Sequence, residues 1–270
     1  MDDGGAMDLG VERLIGRKDG QIGWMIFNNP ERRNAVSLDM WRAIPDVLAA
    51  FEADPEVRVV VFVGAGDRAF VSGADISQFE AERADASAEA RYSSASAAAN
   101  IAMAGISKPT IAMIRGYCIG GGLAVALTCD LRICTDDSRF AIPAARLGLG
   151  YGFGGIKALI DLVGPAIAKE VLFTARQFSA EEALRVGLVN RVTTRDQLEP
   201  LVREYAAMIG ANAPLTIRAA KMAAREALRD PEKRRLADVE AAVAACFDSA
   251  DFKEGRTAFM EKRTPAFRGV

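Results

Sequence analysis

The sequence predicts an α/β fold, a body of alternating strands and helices followed by a C-terminal region that is almost wholly helical. Two observations carry this reading. Apolar runs such as "VRVVVFVG" (57–64), "TIAMIRGYCIG" (110–120) and "LRICT" (131–135) read as strands buried on both faces, which parallel sheets require. Between them, and nearly without interruption after residue 154, apolar residues recur at helical spacing. The pattern divides the chain into a body over residues 11–195 and a helical region over 196–270. Residues 1–10, "MDDGGAMDLG", are expected to lie outside the ordered core.

The elements follow in order. "VERLIGRKDGQIGWMIFNN" alternates around Lys18-Asp19-Gly20 and reads as a β-hairpin. "SLDMWRAIPDVLAAFEAD" has helical spacing, with Ser37 as cap and Pro45 expected to kink it. Residues 78–104, rich in Ala, Ser and Glu, read as a surface helix or as a lid over a site. "GGIKALIDLVG" and "PAIAKEVLFTA" read as two helices, and "SAEEALRVGLV" opens with a capping box of Ser179 and Glu182.

Composition excludes several chemistries. The chain has no histidine, which removes Ser-His-Asp and Cys-His catalysis, imidazole bases and most zinc sites. With 34 basic and 36 acidic residues there is no general field to attract nucleic acid. The cysteines Cys118, Cys129, Cys134 and Cys246 lack CxxC spacing and read as reduced buried thiols of a cytoplasmic protein. The N-terminus does not read as a signal peptide, and no apolar run is long enough to span a membrane. No metal is expected.

Two glycine-bearing loops stand out. Gly120-Gly121-Gly122 precedes an apolar helical run; the glycines serve either helix–sheet packing or N–H groups at a helix N-terminus that face negative charge. "FVSGADI" offers Gly73 and Ala74 at a second turn, and two such donors converging would form an oxyanion hole. "GAGDRA" (64–69) fits a loose dinucleotide fingerprint, but an extended stretch follows it where that motif needs a helix.

"NNPERRNAVS", "RAFVSGADISQF", "KPTIAMIRGYCIGGG", "LTCDLRICTDDSRFAIP", "FSAEEALRVGLVNRV" and "EGRTAFMEKRTPAF" together resemble the crotonase superfamily of enoyl-CoA hydratases and isomerases, over about residues 11–268. The resemblance implies a ClpP/crotonase-like spiral of ββα units whose C-terminal helices form trimers, often paired into hexamers. It implies an acyl-CoA substrate, no separate cofactor, and an oxyanion hole made by the N–H groups of Ala74 and Gly121. CoA and substrate would lie along Arg33, Ala35, Val36, Ala69, Gly73, Asp75, Ile76, Tyr117, Gly120, Pro143 and Leu147. Phe259 and Lys262 match positions that close on CoA, commonly from a neighbouring subunit. Asp67 and Arg68 read as solvated loop residues within reach of CoA phosphates, and Arg146 as a surface residue.

One departure bears on the reaction. The family's hydratases carry a glutamate two residues after the triple glycine and another after the proline of the F-x-x-P segment. The matching positions here are Ala124 and Ala144. Positioned acid–base groups contribute about 10²–10⁴-fold each, so the usual hydration is expected to be crippled. Decarboxylation of a malonyl-type thioester needs the oxyanion hole but no strong base. Tyr151 stands where the family's methylmalonyl-CoA decarboxylase also has a tyrosine, although that enzyme has a histidine where this chain has Ala74. A protein that binds acyl-CoA without turnover is the remaining alternative.

Overall fold

The computed structural model describes residues 6–74 and 86–270. The strands β1 (Ala6–Val11), β2 (Leu14–Asp19), β3 (Ile22–Phe27), β4 (Val59–Gly64), β6 (Thr110–Ile114), β8 (Leu131–Thr135) and β11 (Arg191–Thr193) form a seven-stranded sheet in the order β1-β2-β3-β4-β6-β8-β11. It is parallel from β3 to β11, and β1 and β2 add antiparallel at one edge. A second sheet, β10-β9-β7-β5, contains β5 (Ala69–Val71), β7 (Tyr117–Ile119), β9 (Arg139–Ala141) and β10 (Phe178–Ser179). The hairpin turns at Gly20, whose φ of 57° suits a residue without Cβ.

Both faces of the large sheet are covered, which explains why β4 reads as a continuous apolar run. Val60 and Phe62 face a core shared with the helix α1 (Leu38–Ala53) and the small sheet; Val59, Val61 and Val63 face a second core. That second core is closed by Leu198, Val202 and Ala206 of α6 (Arg195–Gly210). Every β4 residue is buried, and truncating Phe62 to alanine is expected to cost about 3–5 kcal/mol. The helix α2 (Ala86–Gly105) packs on α1 through Tyr92, Ala99 and Met103, and the Trp41 indole N–H donates to the Tyr92 hydroxyl at 2.9 Å. It is thus a surface helix over 86–105, and residues 78–85 of the expected element lie outside the described residues.

Several expectations are corrected. "TIAMIRGYCIG" is two strands in two sheets: Gly116, at φ 60°, turns the corner, and a Cβ there would lie 2.2 Å from the Arg68 carbonyl oxygen. The helical span after residue 154 still contributes β10 and β11, one to each sheet. Residues 6–10, expected outside the core, join β1 because the edge of β2 offers unpaired backbone groups. α1 runs unbroken through Pro45, and the Ser37 hydroxyl bonds the Asp39 carboxylate in place of a backbone N–H.

The remaining helices are α3 (Gly121–Thr128), α4 (Phe153–Thr174), α5 (Ala180–Arg185), α7 (Pro214–Ala227), α8 (Leu236–Asp248) and α9 (Ala250–Glu261). α4 comprises the two expected helices, broken at Gly164 (φ 77°) just before Pro165. The capping box at α5 is formed: Glu182 N–H donates to Ser179 Oγ at 3.1 Å, and Ser179 N–H to Glu182 Oε2 at 2.8 Å. α7 is tied to the sheet by buried Lys221, which donates to Asp130 Oδ2 and to the Lys108 carbonyl, each at 2.6 Å. None of the described helices is long and apolar enough to cross a membrane.

Candidate active site

The site begins where the short strands of the small sheet end. β5 gives way to Gly73, at φ 114°, and β7 gives way to Gly120, at φ 57°; both are conformations that L side chains rarely adopt. The next residues, Ala74 and Gly121, are neighbours across this gap. A Cβ placed on Gly121 would lie 3.5 Å from the Gly73 Cα and 3.7 Å from the Ala74 amide nitrogen. Gly121 is the first residue of α3, so its N–H has no partner inside the helix, and the positive end of the helix dipole points out there. Ala74 bridges to Val36, with Val36 N–H donating to the Gly73 carbonyl at 2.9 Å, so that bond does not use the Ala74 N–H.

The triple glycine therefore answers to three separate needs. Gly120 turns the chain, Gly121 leaves room beside the Ala74 amide, and Gly122 packs against the sheet. A Cβ on Gly122 would sit 1.9 Å from the Val71 carbonyl oxygen, an impossible approach. Packing, one of the two functions weighed for the glycine run, is thus present at Gly122.

Arg33 and Asn34 both have positive φ, at 53° and 57°. Two such residues in succession are strained, and the Asn34 side chain holds them. Its amide donates to the carbonyls of Ala65 at 2.9 Å and Ala69 at 2.8 Å, and its oxygen accepts from the Asn29 N–H at 3.0 Å. Asn34 was not singled out in the sequence; an asparagine tolerant of left-handed backbone within "RRNAV" was the available signal. This pinning brings Arg33, Ala35, Val36, Ala69 and Gly73 into one wall, with Ser72 N–H donating to the Arg33 carbonyl at 3.1 Å. Asp75 and Ile76 lie outside the described residues.

Gly120 N–H donates to the Ala141 carbonyl at 2.8 Å, which sets the turn Pro143–Leu147 beside α3. Ala124, one turn into α3, and Ala144 in that turn are both half-buried. No acid or base occupies either position. Tyr151 packs against the same core as Ala74 and Ala144, and burial pushes its phenol above the ordinary range, so it stays protonated. Leu147 and Arg146 are exposed at the rim, as are Asp67 and Arg68 on their loop. Tyr117 is exposed at the start of β7, whereas Phe259 and Lys262 stand on the surface at the end of α9, which packs on α8. No helix opens after "GAGDRA", so the dinucleotide motif has no structural basis.

The profile of the family described as enoyl-CoA hydratase/isomerase matches residues 17–270. The chain belongs to this family. It is similar to the crotonyl-CoA hydratase of Syntrophomonas wolfei, with 36% identity over 265 residues covering 96% of this chain and 99% of that protein. The short-chain-enoyl-CoA hydratase of Clostridium acetobutylicum is 35% identical, covering 94% and 96% respectively. A crystal structure of an enoyl-CoA hydratase/carnithine racemase from Magnetospirillum magneticum superposes with a TM-score of 0.89 at 33% identity, covering 98% of this chain and 99% of that one. The fold is the crotonase fold, and this enoyl-CoA hydratase/isomerase family member processes acyl-CoA thioesters.

Proposed function

We propose that the chain stabilises a thioester enolate between the N–H groups of Ala74 and Gly121 and does not carry out glutamate-dependent hydration. The adjacency of those two residues supports the first half, because two neighbouring backbone donors, Gly121 at a helix N-terminus and Ala74 beside it, match the charge that develops on a thioester oxygen. Such donors are worth around 10²–10³-fold each in rate. The alanines at 124 and 144 support the second half. Hydration needs one group to take a proton from water and one to deliver a proton to the α-carbon, and a methyl group does neither.

A second reading, decarboxylation of a malonyl-type thioester, is favoured by those alanines together with Tyr151. The bond from the α-carbon to the carboxylate breaks, its electron pair enters the enolate, and CO₂ leaves. The α-carbon is then protonated by solvent or by the Tyr151 hydroxyl, which burial keeps in its protonated form. Among the described residues, the alanines at 124 and 144 place no carboxylate at those positions to repel the substrate's own. Mass spectrometry of malonyl-CoA and methylmalonyl-CoA after incubation with the protein tests it: loss of CO₂ is expected, and unchanged substrates would discard it. Tight binding of thioesters with no turnover on any of them would leave an acyl-CoA binding protein.

The region 196–270 is proposed as the assembly surface of a trimer or a pair of trimers. Leu236, Val243, Phe247, Phe259 and Met260 are exposed there, a set of apolar side chains that a monomer gains nothing by presenting to water. Phe259 and Lys262 would then reach the CoA of a neighbouring subunit.

A further inference from the structure

Strand β8, otherwise without charge, carries Arg132 inside the core. The residue is 5% exposed, although taking a cation out of water is costly. Among the described residues, no carboxylate reaches its guanidinium; carbonyls do. Nε donates to the Leu188 carbonyl at 2.8 Å, and Nη1 donates to the carbonyls of Cys129 at 2.7 Å and Ala126 at 3.4 Å. The last two carbonyls lie at the C-terminal end of α3, the helix whose first residue is Gly121. Asp130 acts on Arg132 through its charge, but its carboxylate is held by Lys221 at 2.6 Å. Cys118 and Cys129, the other titratable groups that act on it, are kept protonated by burial. Burial also loosens the proton on Arg132, yet a guanidinium stays charged at neutral pH.

A cation at this end of α3 bears on the other end. A helix carries about half a positive charge at its N-terminus and about half a negative charge at its C-terminus. α3 has only eight residues, so the two ends lie about 12 Å apart, and the negative end cancels part of what the positive end offers an anion. A full positive charge on the C-terminal carbonyls removes that cancellation and adds a field of its own. Gly122, Leu123, Val125 and Ala126 are buried, so this field passes through protein and not through water. Over about 15 Å at an effective permittivity of about 20, one cation favours one anion by about sixfold. A purely mechanical role for Arg132, tying α3 to residue 188, needs its hydrogen bonds but not its charge.

We infer that Arg132 is a positioning residue of the oxyanion hole, a buried cation that offsets the negative end of α3 and leaves the positive end at Gly121 to act on the thioester oxygen. The inference rests on the oxyanion reading of Ala74 and Gly121. Acetoacetyl-CoA has an acidic α-carbon whose enolate absorbs in the ultraviolet, so the ratio of enolate to keto form of the bound ligand can be read at fixed pH with protein in excess. The wild type should raise that ratio above its value in free solution. Arg132→Gln, which keeps N–H donors without the charge, should lower it about sixfold, whereas Arg132→Lys, charged but without the fork, should stay within about twofold of wild type. An unchanged ratio in Arg132→Gln, or equal losses in the two variants, would overturn the inference and leave Arg132 a mechanical tie. Should Arg132→Gln not fold, Asp130→Asn supplies the test. It removes the carboxylate whose charge opposes Arg132, so the ratio should rise, and an unchanged or lower ratio would overturn the inference. A wild type that leaves the ratio at its free-solution value refutes the oxyanion reading and the inference with it, while a raised wild-type ratio that Arg132→Gln retains refutes the inference alone.

Discussion

Gly121 and Gly122 are adjacent, yet opposite forces hold each as glycine. Gly122→Ala drives a methyl to 1.9 Å from the Val71 oxygen and should cost about 3 kcal/mol or prevent folding, measured by the urea midpoint. Gly121→Ala meets only ordinary contacts at 3.5–3.7 Å and gains helix propensity, so stability should hold. Its methyl crowds the Ala74 N–H, however, and turnover of any thioester the enzyme accepts should fall about 10²-fold. A loss of stability in both variants, with no selective loss of activity in Gly121→Ala, would remove the oxyanion hole from the account. The thiols separate in the same manner. Burial keeps Cys118, Cys129 and Cys134 protonated, the last two pushed from 9.0 to about 12, while Cys246 is half-exposed. Iodoacetamide at neutral pH should therefore label Cys246 alone, as read by peptide mass. Because the raised thiols ionise more readily in the unfolded chain, their contribution is complete below pH 9 and is lost as pH rises toward about 12.

The C-terminal elements depend on a few charge contacts. Glu254 accepts from Arg263 at 2.6 and 2.9 Å and from the Ala266 N–H at 2.9 Å, and these bonds pull its carboxyl from 4.5 down to about 2. A depressed carboxyl stabilises the fold above its unfolded pKa, so the end of α9 and the following tail should loosen as pH falls from 4.5 toward about 2. The Ala266 amide resonance should report that transition in the wild type and lose it in Glu254→Gln. Lys221→Met would take the donor from the Lys108 carbonyl and the ammonium from Asp130, whose Oδ2 keeps the Thr110 N–H and hydroxyl, at a cost of about 1–3 kcal/mol by denaturant titration. β4 was legible in the sequence because both of its faces are buried, and so was the capping box at α5, whose partners are three residues apart. The corner at Gly116 was not, because what forbids a side chain there is the carbonyl of distant Arg68. β10 and β11, two and three residues long, become strands only through pairing with β9 and β8. The two glycine-bearing loops were legible as motifs, whereas the pinning of Arg33 and Asn34 was not, since the carbonyls of Ala65 and Ala69 reach the Asn34 amide only in the folded chain.

For the whole molecule, the exposed apolar side chains of residues 196–270 predict a mass near three or six times that of one chain by light scattering, and a monomer would withdraw the assembly proposal. In the proposed function, N–H donors at Ala74 and Gly121 stand beside alanines at 124 and 144, where the resemblance calls for glutamates. Restoring carboxylates as Ala124→Glu/Ala144→Glu should raise hydration, since each such group is worth about 10²–10⁴-fold when correctly placed. The most direct measurement follows the loss of enoyl absorbance of crotonyl-CoA with the unmodified protein, side by side with a glutamate-bearing hydratase of the family. The account predicts kcat/KM at least about 10²-fold below that enzyme. Equal rates would contradict it.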